Sequence, residues 1–141
     1  MRRWNGWGEA SVTKKIPPRG LEILVNQIGK GRPVSDYPLE KLLDRVPPSR
    51  MPQHPLISTD PQLRLDHAHG QSLPDWLDLR CGMLKRFPDG VAKPENREEV
   101  QEILKFAADN EMVVIPYGGG TSVVGHLEIP QSKRTVLSLS L

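Results

Sequence analysis

Ile115-Pro116-Tyr117-Gly118-Gly119-Gly120-Thr121-Ser122-Val123 joins the end of an apolar run to three consecutive glycines and a Thr-Ser pair. It follows Met112 to Ile115, a compact apolar run rich in β-branched residues and too short for a helix, which predicts a buried strand. Three glycines directly after such a strand let the backbone turn sharply and approach a ligand with no Cβ atoms in the way. Successive N–H groups in that turn can form a concave anion site, to which threonine and serine hydroxyls add donors. A diphosphate suits such a site. Two familiar phosphate loops do not fit. Gly120 and Gly125 have the spacing of a P-loop, but His126-Leu127 stands where Lys-Ser/Thr is needed. Gly118 and Gly120 begin G-x-G-x-x-G, yet Val123 replaces the third glycine and no helical pattern follows.

Working outward, Gly90-Val91-Ala92-Lys93 predicts a short strand ending at Pro94. Asn96 with Glu99 three residues later has capping-box spacing. Val100, Ile103, Leu104 and Ala107 then recur as one face of a helix that stops at Asp109-Asn110. Leu137, Leu139 and Leu141 alternate with Ser138 and Ser140, the period of a half-buried strand. Strand, helix, strand, glycine loop and strand make a βαβ unit with an extension, so the expected class is α/β, shading into α+β. A sheet stopping at Leu141 would leave an edge and an apolar face uncovered, so the chain is expected to be part of something larger.

The first part of the chain is less regular. Nine of the fourteen prolines fall between Pro17 and Pro61, and proline overall is about twice its usual 5% share. Asn5-Gly6 between Trp4 and Trp7 predicts a tight turn against which the tryptophans pack. Short helices are expected over 21–28, ended by Gly29, and over 39–46, stopped by Pro47-Pro48. A third, over 73–79, has Ser72 as N-cap and Pro74 at the first helical position. The expected division is 1–86, helical and loop, and 87–141, the βαβ part.

Composition narrows the function. The net charge is +2, but residues 1–50 carry ten Lys/Arg against five Asp/Glu, while residues 51–141 carry nine against twelve. The basic residues of the first part are scattered among prolines, which argues against nucleic acid. No run approaches the roughly 18 apolar residues of a membrane span, and Met1-Arg2-Arg3 is followed by no apolar stretch, so a cytoplasmic protein without a signal peptide is expected. The lone Cys81 excludes an internal disulfide and is expected to be buried or inert. His67 and His69 would share a face on a strand, as metal ligands can, but no third ligand is evident, and a hydrogen-bonding role is expected instead. His54 and His126 are expected to be solvated, and Arg80 and Arg86 to end in surface ion pairs. The helix over 21–28 is too weakly basic on its polar face for a membrane anchor.

Pro88-Asp89-Gly90-Val91, Pro94, Glu98-Glu99-Val100 and the segment 116–123 occur in one order and spacing that resembles the FAD-binding domain of the vanillyl-alcohol oxidase type of flavoprotein. Trp4-Asn5-Gly6-Trp7-Gly8 and His67-Ala68-His69-Gly70-Gln71-Ser72 narrow the resemblance to the alkyldihydroxyacetonephosphate synthase family. The resemblance implies the N-terminal half of a PCMH-type FAD-binding domain, with Pro116, Tyr117, Gly118, Gly119, Gly120, Thr121 and Ser122 wrapping the FAD diphosphate. It implies exchange of an acyl group on dihydroxyacetone phosphate for a fatty alcohol, a step of ether-lipid synthesis with FAD as electrophile. The family's catalytic residues lie further along, so no catalytic residue is expected here and the chain alone is expected to be inactive. An FAD-linked 2-hydroxyacid dehydrogenase is the alternative, and a non-catalytic docking module the second. The implied partners are the remaining FAD and substrate domains and a small-molecule or lipid-precursor substrate, with a homodimer as the assembly the family allows. Thr121 stands where related flavoproteins place a flavin-linking histidine, which implies FAD held without a covalent bond.

Overall fold

The computed structural model describes residues 3–6, 8–32 and 35–141. Its best-formed helix is α5, the fifth in the chain. Asn96 accepts a hydrogen bond from the Glu99 N–H at 2.9 Å. The Glu99 carboxylate reaches back to the Glu95 N–H at 2.8 Å, one residue earlier than a reciprocal capping box would have it. The helix runs Arg97–Asp109, with Ile103 and Ala107 buried. Leu104 is 45% exposed, so the buried stripe is narrower than the periodicity predicts. Asn110 ends the helix by donating from its side chain to the Phe106 carbonyl.

The strands are β1 (Ile57–Ser58), β2 (Gly90–Ala92), β3 (Val113–Tyr117) and β4 (Val136–Ser140). They form one sheet in the order β1-β2-β4-β3. β2 and β3 both run parallel to β4, pairing Gly90 with Leu137 and Tyr117 with Ser140, while β1 is antiparallel to β2. The connection through α5 therefore leaves a gap one strand wide between β2 and β3, and β4 fills it. This corrects two expectations about the last strand. β4 is central rather than an edge, and Val136 to Leu139 are all buried rather than half-buried. Leu137 and Leu139 pack with Ala92, Ile103 and Met112 on the α5 side, while Val136 joins a second cluster on the opposite face. Ser138 is fully buried on β4, and its hydroxyl has no partner among the described residues.

That second cluster joins the two parts of the chain. Leu42, Leu65, Ala68, Leu79 and Leu84 pack there with Phe87, Ile115, Leu127 and Ile129, and Trp4 leans on it. Trp7 lies outside the described residues. The helices of the first part are α1 (Pro18–Ile28), α2 (Leu39–Leu43), α3 (Pro61–Asp66) and α4 (Leu73–Arg80). α1 starts three residues earlier than predicted and buries no residue. α2 stops at Leu43, before the prolines. α4 opens on a full capping box between Ser72 and Asp75, with Leu73 at the first helical position and Pro74 at the second. The sequence reading passed over α3, although Asp60 accepts from the Leu63 N–H at 2.8 Å and Pro61 follows it, a clear start signal. No described helix is long and apolar enough to cross a membrane.

Candidate functional site

β3 is an edge strand, so Pro116 can sit within it without breaking a ladder of hydrogen bonds. The glycines leave from its carboxyl end, beside the end of β4, where the Leu141 N–H still donates to the Tyr117 carbonyl at 2.8 Å. Carboxyl ends of parallel strands are where open α/β sheets take ligands. Asp89 lies at the opposite end, before β2.

The three glycines are not equivalent. Gly120 is buried with φ +72°, and a Cβ there would lie 2.3 Å from the Tyr117 hydroxyl. The fold itself requires that glycine. Gly118 and Gly119 are exposed, have no positive φ, and a Cβ on either would meet nothing within 4 Å. Packing among the described residues gives no reason for them. The backbone N–H groups of Gly118, Gly119, Gly120, Thr121 and Ser122 also donate to no described residue. Five consecutive amide donors, with open space above two of them, fit a multiply charged anion such as a diphosphate.

Thr121 is exposed, and its carbonyl accepts from the Gln71 N–H at 2.9 Å. Ser122 is buried at φ +36°. Its hydroxyl accepts from the Leu127 N–H at 3.1 Å and lies 3.3 Å from Nδ1 of His126, so it braces the loop from within. The Ser122 backbone N–H donates to no described residue. Tyr117 donates its hydroxyl to the Asp66 carbonyl at 3.3 Å, and its ring packs on His67 with centroids 4.2 Å apart.

His67 and His69 sit on no strand. His67 caps α3, its Nδ1 2.9 Å from the Leu63 carbonyl, and His69 follows in the loop with Nδ1 2.7 Å from the Gly70 carbonyl. Burial holds the His67 imidazole below its ordinary pKa, outweighing the Leu63 hydrogen bond, which raises it. Among the described residues no group of three or more His, Cys, Asp or Glu is placed to hold a metal ion.

Other residues singled out from the sequence lie away from the loop or face outward. Cys81 is exposed at the end of α4, not buried, because the helix turns it away from the core. Arg80 pairs with Asp36 at 2.8 Å and Arg86 with Glu128 at 2.5 Å. His54 is packed on Phe106 with centroids 4.4 Å apart rather than solvated. A groove of about 1100 Å³ runs along α4, but it meets the loop only at Val123, Val124 and Gly125. The sequence reading missed Gly70 and Gln71 as partners of the loop. No local signal in the sequence marks their contact.

Residues 88–141 match the family of FAD binding domains. The chain is 27% identical to an alkyldihydroxyacetonephosphate synthase of Caenorhabditis elegans, over 99% of this chain and 28% of the relative. It is 54% identical to a cytochrome-type mitochondrial D-lactate dehydrogenase of Saccharomyces cerevisiae, but over only 28% of this chain and 7% of that protein. A solved alkyldihydroxyacetonephosphate synthase superposes with a TM-score of 0.77 at 24% identity, covering 98% of this chain and 32% of the other, which shows a shared fold. The chain thus spans about a third or less of the proteins it matches.

Proposed function

We propose that this chain, an FAD-binding fragment whose residues 88–141 match the FAD binding domain family and which resembles the alkyldihydroxyacetonephosphate synthases, cradles the FAD diphosphate on residues 116–122. The observation that carries the placement is the row of five amide donors from Gly118 to Ser122 that no described residue uses. Pro116 and Tyr117 bring the chain to the end of the sheet, Gly118 and Gly119 leave room for phosphate oxygens, and Gly120 makes the turn. Residues 87–141 are the first part of the cofactor domain, and residues 1–86 are the region packed against it.

For the whole protein the reading is a transferase that joins a fatty alcohol to a dihydroxyacetone phosphate ester, rather than a D-lactate dehydrogenase. The likeness to the first runs over 99% of this chain and to the second over 28%. Bound FAD would supply the electrophilic centre of that chemistry. This chain's part is to bind and orient the cofactor, and none of its residues is assigned a catalytic role. The cofactor is held by hydrogen bonds, with Thr121 offering no ring nitrogen where a flavin-linking histidine would stand.

Gly119→Val tests the placement. Its backbone can take a side chain, so the variant should fold. The branched Cβ would then occupy the phosphate's space, and FAD affinity in the full-length protein should fall more than tenfold, about 1.4 kcal/mol. Unchanged affinity in a folded variant would refute the placement. Turnover of acyl-dihydroxyacetone phosphate with a fatty alcohol, set against D-lactate, tests the reaction.

A further inference from the structure

The segment from Ala68 to Ser72 lies outside residues 88–141, yet it touches the glycine loop at two points. The Gln71 N–H donates to the Thr121 carbonyl at 2.9 Å. Gly70 backs onto Ser122 so closely that a Cβ at position 70 would lie 2.6 Å from the Ser122 Cβ and 3.1 Å from its carbonyl oxygen. Only a residue without a side chain fits there.

What it presses against is unusual. Ser122 holds φ +36°, a left-handed conformation that L-residues with side chains rarely adopt and that persists only when its surroundings enforce it. Those surroundings are the Leu127 N–H on its hydroxyl, the Gly125 N–H on its carbonyl, and Gly70 behind it. The segment is itself pinned. Trp76 donates its indole N–H to the Gln71 side chain at 3.0 Å, and Asp75, which caps α4, stands 3.0 Å from where a Gly70 Cβ would be.

We propose that Gly70 and Gln71 are positioning residues for FAD, holding Thr121 and Ser122 in the conformation that keeps the amides of 118–122 free for the diphosphate. This rests on the reading of the loop as the diphosphate site. The first part of the chain then sets cofactor affinity without touching the cofactor.

The test titrates FAD into full-length apoprotein, following flavin fluorescence, with the apoprotein melting temperature measured alongside. Gly70→Ala should bind FAD at least tenfold more weakly. The double variant Gly70→Ala/Ser122→Gly, which removes the Cβ that is met at 2.6 Å, should recover part of that loss. A general loss of stability would instead show as a fall in apoprotein melting temperature that tracks the loss of affinity from variant to variant. A folded Gly70→Ala with wild-type affinity overturns the proposal, as does a double variant that binds no better than Gly70→Ala while Ser122→Gly alone binds FAD as the wild type does. If Gly70→Ala does not fold, Gln71→Pro, which deletes the donor to Thr121, takes its place with the same tenfold criterion. Gly119→Val separates the two readings. If it also binds FAD normally, the loop reading has failed. If it loses FAD while Gly70→Ala keeps it, only the positioning role has failed.

Discussion

Asp89→Asn removes one charge and almost no volume, yet it should be among the most damaging substitutions in the chain. Asp89 is 4% exposed. One carboxylate oxygen accepts from Arg50 Nε at 2.9 Å and from the Arg50 N–H at 3.3 Å. The other accepts from Arg50 Nη2 at 2.7 Å and from the Val136 N–H at 2.8 Å. Burial alone would raise its pKa, but the hydrogen bonds from Arg50 and Val136 prevail and hold it below the usual carboxylate range. Both oxygens face donors, so an asparagine amide in either orientation sets its NH2 against Arg50 or Val136. Leaving one buried donor unpaired costs about 1–3 kcal/mol. The Arg50 side chain is 48% exposed, so its lost attraction is discounted to about 1 kcal/mol. The expected loss is about 3 kcal/mol, or about 10 °C in melting temperature for a chain of this size.

Urea unfolding of Asp89→Asn, Arg50→Met and the double variant checks this, with a coupling of about 1 kcal/mol expected between the two sites. The sign of the pH effect follows from the depressed pKa. The unfolded state binds the proton first as pH falls, so the contribution is present above about pH 4 and is lost as pH falls through the folded value. Wild type should show that acid limb and Asp89→Asn should lack it. A loss below about 1 kcal/mol, or no coupling to Arg50, would refute the reasoning.

His67 should impose a milder acid limb at higher pH. Its folded pKa is lowered, so the unfolded state takes the proton first and stability declines as pH falls below about 6.5. His67→Phe keeps a ring against Tyr117 and should flatten that decline in urea midpoints across pH 5–7; an unchanged slope would assign it elsewhere. Acid precipitation of the full-length holoprotein should release yellow FAD to the supernatant, and colour retained in the pellet would show a covalent bond. Ile103→Ala should cost about 2–5 kcal/mol because the side chain is fully buried, whereas Leu104→Ala should cost under about 1 kcal/mol at 45% exposure. Equal losses at the two sites would restore the wider stripe that the periodicity predicts.

What was legible in the sequence was local. Asn96, Glu99, Ile103 and Ala107 declare α5 within one stretch of chain, and Ser72 with Pro74 declares α4. The apolar run before Pro116 and the glycines after it place the loop at a strand end without any knowledge of the sheet. Position within the sheet was not legible. Leu137-Ser138-Leu139-Ser140 has the alternation of a one-faced strand, and nothing in it reveals that two layers close over Ser138. α3 was hidden because its short span carries only Leu63 and Leu65 as apolar side chains besides Pro61, and one of its two buried residues is Arg64, which a periodicity count treats as polar. Arg64 is nonetheless 2% exposed, donating to the Pro88 and Pro47 carbonyls at 2.7 and 2.8 Å.

The glycines show most clearly where sequence reasoning stops. Gly70, Gly118, Gly119 and Gly120 look alike as letters, but each is glycine for a different physical reason. Gly120 is required by its own φ and by Tyr117, and Gly70 by Ser122, a contact between segments far apart in the chain. Gly118 and Gly119 are required by nothing among the described residues. A glycine that no described residue requires, beside amides that no described residue uses, is what the proposed diphosphate site would account for. That separation, which depends on contacts between segments far apart in the chain, is what points a common three-glycine turn toward the proposed diphosphate site.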